Sequence, residues 1–204
     1  MGINERKERQ KLELRRKILA EAESILLTKG WSQLSIRNIA SAIEYSPATI
    51  YLYFDSKDEI GYELMEKGFK QLTATMRPYF EEADLIKRLK NIGVAFIQFG
   101  LTQKEWFDIM FHPSGINFTK YLGESSPGLQ LFGQLEATCQ ELQKEYPQIK
   151  DARIFAINLL SQVVGLVSLI QCDHIGFLVK MDSETLARQA TQAMIDGFFG
   201  APSE

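Results

Sequence analysis

The chain has 204 residues, of which 45% are hydrophobic and 24% charged. That is too apolar for a disordered polymer and long enough for a small domain joined to a larger one. The net charge of −3 hides an asymmetry: residues 1–57 hold ten Lys/Arg against seven Asp/Glu, and residues 58–204 hold thirteen against nineteen. A basic front on an acidic body suits a protein that meets a polyanion at one end, and a solvated terminal helix fits the same charge equally well.

No charged-then-apolar leader with a small-residue cleavage site opens the sequence, so a cytoplasmic protein is expected. The apolar run Ile154–Ile170 is interrupted by Asn158, Ser161 and Gln162, which predicts a buried helix rather than a membrane span. Cys139 and Cys172 match no metal-ligand spacing and read as reduced core residues. With two histidines, no nucleophile elbow and no phosphate loop, neither catalytic residues nor a metal or cofactor are expected.

Taken in chain order, Leu14, Ile18, Ala22, Ile25 and Leu26 keep helical spacing and predict a helix over about 8–29, closed by Gly30. The basic residues Arg6, Lys7, Arg9 and Lys11 fall at its start. They read as a frayed solvated end in preference to a phosphate or minor-groove arm. Ser35 caps a short helix whose Ile36, Ile39, Ala40 and Ile43 face a core, and Glu44-Tyr45 makes a tight connection. Ser46-Pro47 opens a third helix, expected to end near Asp55, where Ser56 and Glu59 form a capping box for a fourth that runs to Met76. Longer helices follow near 83–101, 104–112, 128–146, 151–172 and 183–199, and no strand pattern interrupts them. The fold class is all-α, with about nine helices.

The second and third helices have the spacing of a helix-turn-helix, whose second helix enters the major groove. Ile50 and Phe54, four apart, turn inward and leave Ser46, Ala48, Thr49, Leu52 and Tyr53 on faces open to a partner. Thr49 can donate, accept or present a methyl to a base edge, and Leu52 suits a thymine methyl. Tyrosine hydroxyls and Lys57 suit phosphate oxygens. The competing reading packs Tyr51, Leu52 and Tyr53 against the first or fourth helix.

The stretch "KILAEAESILLTKGWSQLSIRNIASAIEYSPATIYLYFDSKDEI" closely resembles the N-terminal domain of the tetracycline-repressor (TetR) family of bacterial regulators. The resemblance rests on Ile18, Ala22 and Gly30, on Ser35 through Ala40, on Thr49-Ile50-Tyr51, and on Tyr53-Phe54 followed by Ser56-Lys57. It implies a three-helix DNA-binding head over residues 1–56 and a larger ligand-binding and dimerisation body over 57–204. It further implies repression of a DNA operator relieved by a small molecule. By the same resemblance Ser35 and Arg37 fall at phosphate or base contacts. Ala48, Thr49, Leu52 and Tyr53 fall on the recognition helix, and Tyr51 and Lys57 at phosphate positions. Glu44 stands where the family turn carries glycine, a departure that burdens a left-handed turn and leaves its shape open.

In the body, Phe96, Phe99, Trp106, Phe107, Met110, Phe111, Phe118, Tyr121 and Phe132 concentrate aromatic and soft apolar groups in a short span. With Asn158 and Gln162 as polar orienting groups, they are the candidate lining of a small-molecule pocket, and a dense aromatic core without a cavity is the competing reading. The helices near 151–172 and 183–199 carry the faces expected to form a homodimer about a twofold axis. A helical dimeric interaction protein, or a regulator that needs no ligand, remains an alternative reading of the sequence.

Overall fold

The computed structural model describes residues 3–112, 120–121, 123, 126–172 and 180–200. The candidate pocket residue Phe118 lies outside the described residues. Among the described residues there are nine α-helices and no strand: α1 (Ile3–Lys29), α2 (Ile36–Ala42), α3 (Pro47–Ile50), α4 (Lys57–Met76), α5 (Leu85–Thr102), α6 (Lys104–Phe111), α7 (Pro127–Glu145), α8 (Ala152–Gln171) and α9 (Ser183–Phe199). The chain divides into two compact units, Met1–Gly68 with Asp108–Gly123, and Phe69–Phe107 with Glu124–Glu204. The first unit thus extends through Gly68, beyond the head boundary expected at residue 56.

In the first unit, α1 begins at Ile3, so the basic residues 6–11 are helical and not frayed. Ile18, Ala22, Ile25 and Leu26 of α1 are buried with Ile36, Ile39, Ala40 and Ile43 of the second helical segment. The predicted caps form: Ser35 Oγ accepts from the Asn38 amide at 3.1 Å, and Ser46 Oγ accepts from the Thr49 amide at 3.1 Å. Each supplies a side-chain acceptor to an amide of the first helical turn, and the Thr49 amide also reaches the Ser46 carbonyl at 3.0 Å.

The turn after α2 is left-handed at Glu44, with φ 63°. The Tyr45 amide bonds the Ala40 carbonyl at 2.9 Å and the Glu44 amide bonds the Ser41 carbonyl at 3.3 Å. This paired closure is the Schellman motif, which normally recruits glycine because a Cβ is strained there. The turn keeps its left-handed form despite the glutamate.

The second unit packs α5 against α7, α8 and α9. Leu89, Cys139, Leu142, Phe155, Leu159 and Ile195 form its core, and Tyr146 meets Phe199 edge-on at 4.7 Å between ring centres. Gly93 lets α5 approach α9 closely, since a Cβ there would lie 2.8 Å from Thr191 Cγ2. Asp84, Asp151 and Asp182 cap α5, α8 and α9 by accepting amide bonds at 2.9–3.1 Å. The backbone and hydroxyl bonds from Thr185 hold the Asp182 carboxyl below the ordinary carboxylate range.

One expectation is corrected here. Cys139 is buried, and that burial pushes its thiol up to about 12, but Cys172 is exposed at the end of α8 and is no core residue. Helix α8 is not buried all round. Ala152, Phe155, Ala156, Leu159, Val163 and Val167 face the core while Ile154, Ile157 and Leu169 are exposed. One chain supplies cover on one side only. Among the described residues α8 alone is long and apolar enough to cross a membrane by length and composition, with a mean hydropathy of 1.9.

A left-handed residue bearing a Cβ carries roughly 1–2 kcal/mol of strain. Glu44→Gly therefore raises stability by about 1 kcal/mol, seen as a melting temperature ~2–4 °C higher for a chain of this size. A lowered melting temperature would show that the glutamate side chain makes a compensating contact.

Candidate nucleic-acid interface

The recognition segment is shorter than the sequence implies. Regular α3 ends at Ile50, and the chain then tightens, with the Leu52 amide bonding Thr49 and the Tyr53 amide bonding Ile50 at 3.2 and 2.9 Å. Those i→i−3 bonds draw the backbone into a narrower turn before the Phe54 amide bonds Ile50 at 3.1 Å. Regular helical geometry thus stops at Ile50, well short of the end expected near Asp55, and the segment closes at Phe54.

Its side chains divide sharply. Ile50 and Phe54 are fully buried, whereas Leu52 is 77% exposed and Tyr51 56% exposed. The competing reading therefore fails for the exposed Tyr51 and Leu52 but keeps Tyr53, which is half-buried and borders a groove with Leu14 and Lys17 of α1. Arg15 of α1 clamps the buried side: its guanidinium lies 4.6 Å from the centre of the Phe54 ring and pairs with Glu63 of α4. The outward face is thereby fixed by what its neighbours bury.

Ser46 and Ala48 are exposed at the start of α3 and Thr49 is half-buried. The Thr49 hydroxyl sits 2.9 Å from Ser46 Oγ, so part of its hydrogen-bonding capacity is used within the cap. Arg37 is exposed on α2, and Ser35, half-buried, is committed to its cap.

Lys57 is placed differently from the simple phosphate role. Its ammonium donates to the Trp31 carbonyl at 3.2 Å and stands 4.0 Å from the centre of the Trp31 ring. Burial pushes its pKa below the ordinary lysine value, with Asp58 opposing. The same Trp31 ring covers Gly61, where a Cβ would lie 2.6 Å from the ring edge. Trp31 therefore fastens the first turns of α4 to the head.

The capping box of α4 is also displaced. Ser56 Oγ accepts from the Glu59 amide at 3.2 Å, but the Glu59 carboxylate accepts from the Asp55 amide at 2.7 Å, one residue earlier than expected. Ser56 has a second partner that spacing along the chain does not reveal. Tyr121 approaches it with the hydroxyl oxygens 3.2 Å apart, while the Tyr121 ring stacks on Tyr62 at 5.7 Å.

The candidate pocket residues are shared between the two units. Phe96, Phe99, Trp106 and Phe107 are buried in the second unit, with Phe96 and Phe107 edge-on at 6.2 Å. Met110 is buried and Phe111 half-buried on the continuation of α6. Tyr121 belongs to the first unit with Ser56 and Tyr62. Asn158 and Gln162 are exposed on the outer face of α8, where the Gln162 amide donates to the Asn158 carbonyl at 3.4 Å.

An all-α chain with this paired-helix head and its outward-facing second helix is a helix-turn-helix protein, a class whose exposed helix reads DNA. Residues 18–61 match the family model of the bacterial regulatory proteins, tetR family. Over 87 residues the chain is 25% identical to the HTH-type transcriptional repressor DhaR of Mycobacterium sp. (strain GP1), a match covering 42% of this chain and 44% of that one. The chain thus spans less than half the length of that relative. Among solved structures it is similar to a protein of unknown function from Rhodococcus sp. RHA1, at 24% identity and a TM-score of 0.70, with 91% of this chain and 95% of that one covered. It is also similar to the TetR family transcriptional regulator PfmR of Thermus thermophilus, at 23% identity and a TM-score of 0.60, covering 87% and 96%.

Tyr51→Phe removes a hydroxyl from an exposed ring, so DNA affinity falls alike for every sequence while the melting temperature holds. Thr49→Ala instead relaxes preference at one base pair, by ~1–3 kcal/mol of discrimination. Competition binding against a panel of single-base variants separates the two, and an unchanged preference removes Thr49 from base readout.

Proposed function

We propose that this chain is a sequence-specific transcriptional regulator of the cytoplasm, a repressor released from a pseudo-palindromic operator by a small, largely apolar ligand. The observation that carries the reading is the division of the recognition segment, with Leu52 and Tyr51 exposed directly between the buried Ile50 and Phe54. Leaving a leucine in water forfeits roughly 1.5–3 kcal/mol of burial energy. A partner with apolar base edges recovers it. Arg37 on α2 and the Tyr51 hydroxyl are also exposed and suit phosphate.

The dimer follows from the uncovered side of the body. Ile154, Ile157 and Leu169 of α8 and Phe198 of α9 are exposed, and beside them Gly165, Leu166, Ala190 and Met194 border a shallow groove of about 350 Å³. A second copy laying its own α8 and α9 here covers both apolar faces at once. Asn158 and Gln162 then serve this interface and not the ligand. Two recognition segments related by a twofold axis read half-sites ~34–36 Å apart or a multiple of it. The buried Phe96, Phe99, Trp106 and Phe107 support an apolar ligand for the body.

The reading is tested by selecting DNA fragments from the source genome with the purified protein across a salt series. A recovered palindromic site whose affinity falls steeply with salt supports it, and that fragment then reports which apolar compounds release the protein. Recovery of no preferred sequence at any salt concentration contradicts it. The dimer has its own test: Ile157→Asp places a charge on the exposed apolar face, so sedimentation shows monomers and affinity for the palindrome drops while helicity is retained. A dimer of unchanged strength would place the interface elsewhere.

A further inference from the structure

Beside the recognition segment runs a groove of about 690 Å³, formed by the outer face of α1, the turn residue Tyr45, and Leu52 and Tyr53. We infer that this groove seats one sugar-phosphate strand of the bound duplex, so that α1 contributes a second set of DNA contacts through Lys7 and Lys11. The inference rests on the DNA-binding reading above and names a further part of the same interface.

Leu14, Leu52 and Tyr53 line it with apolar and aromatic surface, and three lysines line it at positions 7, 11 and 17. Against them stands one acid, Glu13, which is paired with Arg9 at 3.4 Å. The groove is therefore cationic around an apolar bed, as a strand with anionic phosphates outside and sugars between requires.

Lys17 is partly committed, donating to the Ile43 carbonyl at 3.3 Å and lying 5.4 Å from the centre of the Tyr45 ring. It fastens α1 to the helix-turn-helix turn and so sets the groove's width. Lys7 and Lys11 are exposed and four residues apart on one helical face. Their separation along the axis is ~6 Å, against phosphates that follow one another every ~3.4 Å of duplex axis on each strand. Two long flexible stems can thus reach separate phosphates.

Continuity gives the direction. Leu52 and Tyr53 belong both to the recognition segment and to the groove, so a duplex met by that segment passes its backbone along α1. The helical course of residues 6–11 holds the lysines in place before DNA arrives, which spares the entropy of ordering an arm on binding.

The test uses the full chain and a short duplex of mixed sequence, then the preferred fragment once selected. Binding is followed as a function of salt for the wild type, for Lys7→Ala/Lys11→Ala, and for Arg6→Ala/Arg16→Ala. The last variant removes the same charge from exposed positions of α1 outside the groove. Alanine favours helix at all four sites. The inference predicts that the lysine variant lowers the slope of log affinity against log salt by ~0.9 for each phosphate left without its lysine, or ~1.8 per bound subunit. The arginine variant keeps a slope near that of the wild type, and base preference is unchanged in both. A lysine variant with the wild-type slope overturns the inference and leaves the DNA-binding reading standing. Equal losses in the two variants overturn it in favour of diffuse basicity. A wild type that binds neither duplex, even at low salt, overturns the DNA-binding reading and this inference with it.

Discussion

The burial of Phe54 and Ile50 fixes everything the head presents to a partner. A regular α3 of four residues followed by a tight turn has little intrinsic stability, because helices of that length do not persist in water by propensity. Its conformation is imposed by two side chains sunk into the core, by Arg15 over the Phe54 ring, and by the caps at Ser46 and Ser35. Given that anchoring, the orientation of Thr49, Tyr51 and Leu52 is no longer free. The exposed face is preorganised, and the cost of ordering it is met in folding and not in binding.

A second constraint acts at the start of α4. Trp31 receives Lys57 on its face and its carbonyl, and leaves no room for a side chain at position 61. Ser56, the cap of that helix, is shared with Tyr121. The first turns of α4 are thus held by residues far apart in the chain.

Much of this was legible in the sequence. Serines at 35 and 46 and the proline at 47 announced helix starts through their chemistry, and the period of Ile36, Ile39, Ile43, Ile50 and Phe54 announced the buried face. The strain at Glu44 was legible only through the resemblance, which puts glycine at that position, and the shape of the turn stayed open until the φ of 63° was seen. What was not legible depends on contacts between distant positions. Tyr121 meets Ser56 across 65 residues, and Lys57 meets Trp31 across 26, with no local pattern to signal either. The early end of α3 lacks a breaker residue, since the tightening after Ile50 is driven by Phe54 reaching its pocket. Helix α8 reads as apolar nearly all round, and the sequence cannot say that its own chain covers one side only. The basic residues of α1 carry charge in the sequence, but their alignment with Leu52 and Tyr53 along one groove arises in the folded head.

The central claim is that the segment between Ser46 and Phe54 turns a fixed face to DNA while its other face stays in the core. Hydroxyl-radical labelling of the side chains, free and with saturating duplex, tests it most directly. The account predicts that Tyr51 and Leu52 label strongly in the free protein and are protected by DNA, while Ile50 and Phe54 label weakly in both states. Protection that spares Tyr51 and Leu52, or strong labelling of Phe54 in the free protein, would contradict it.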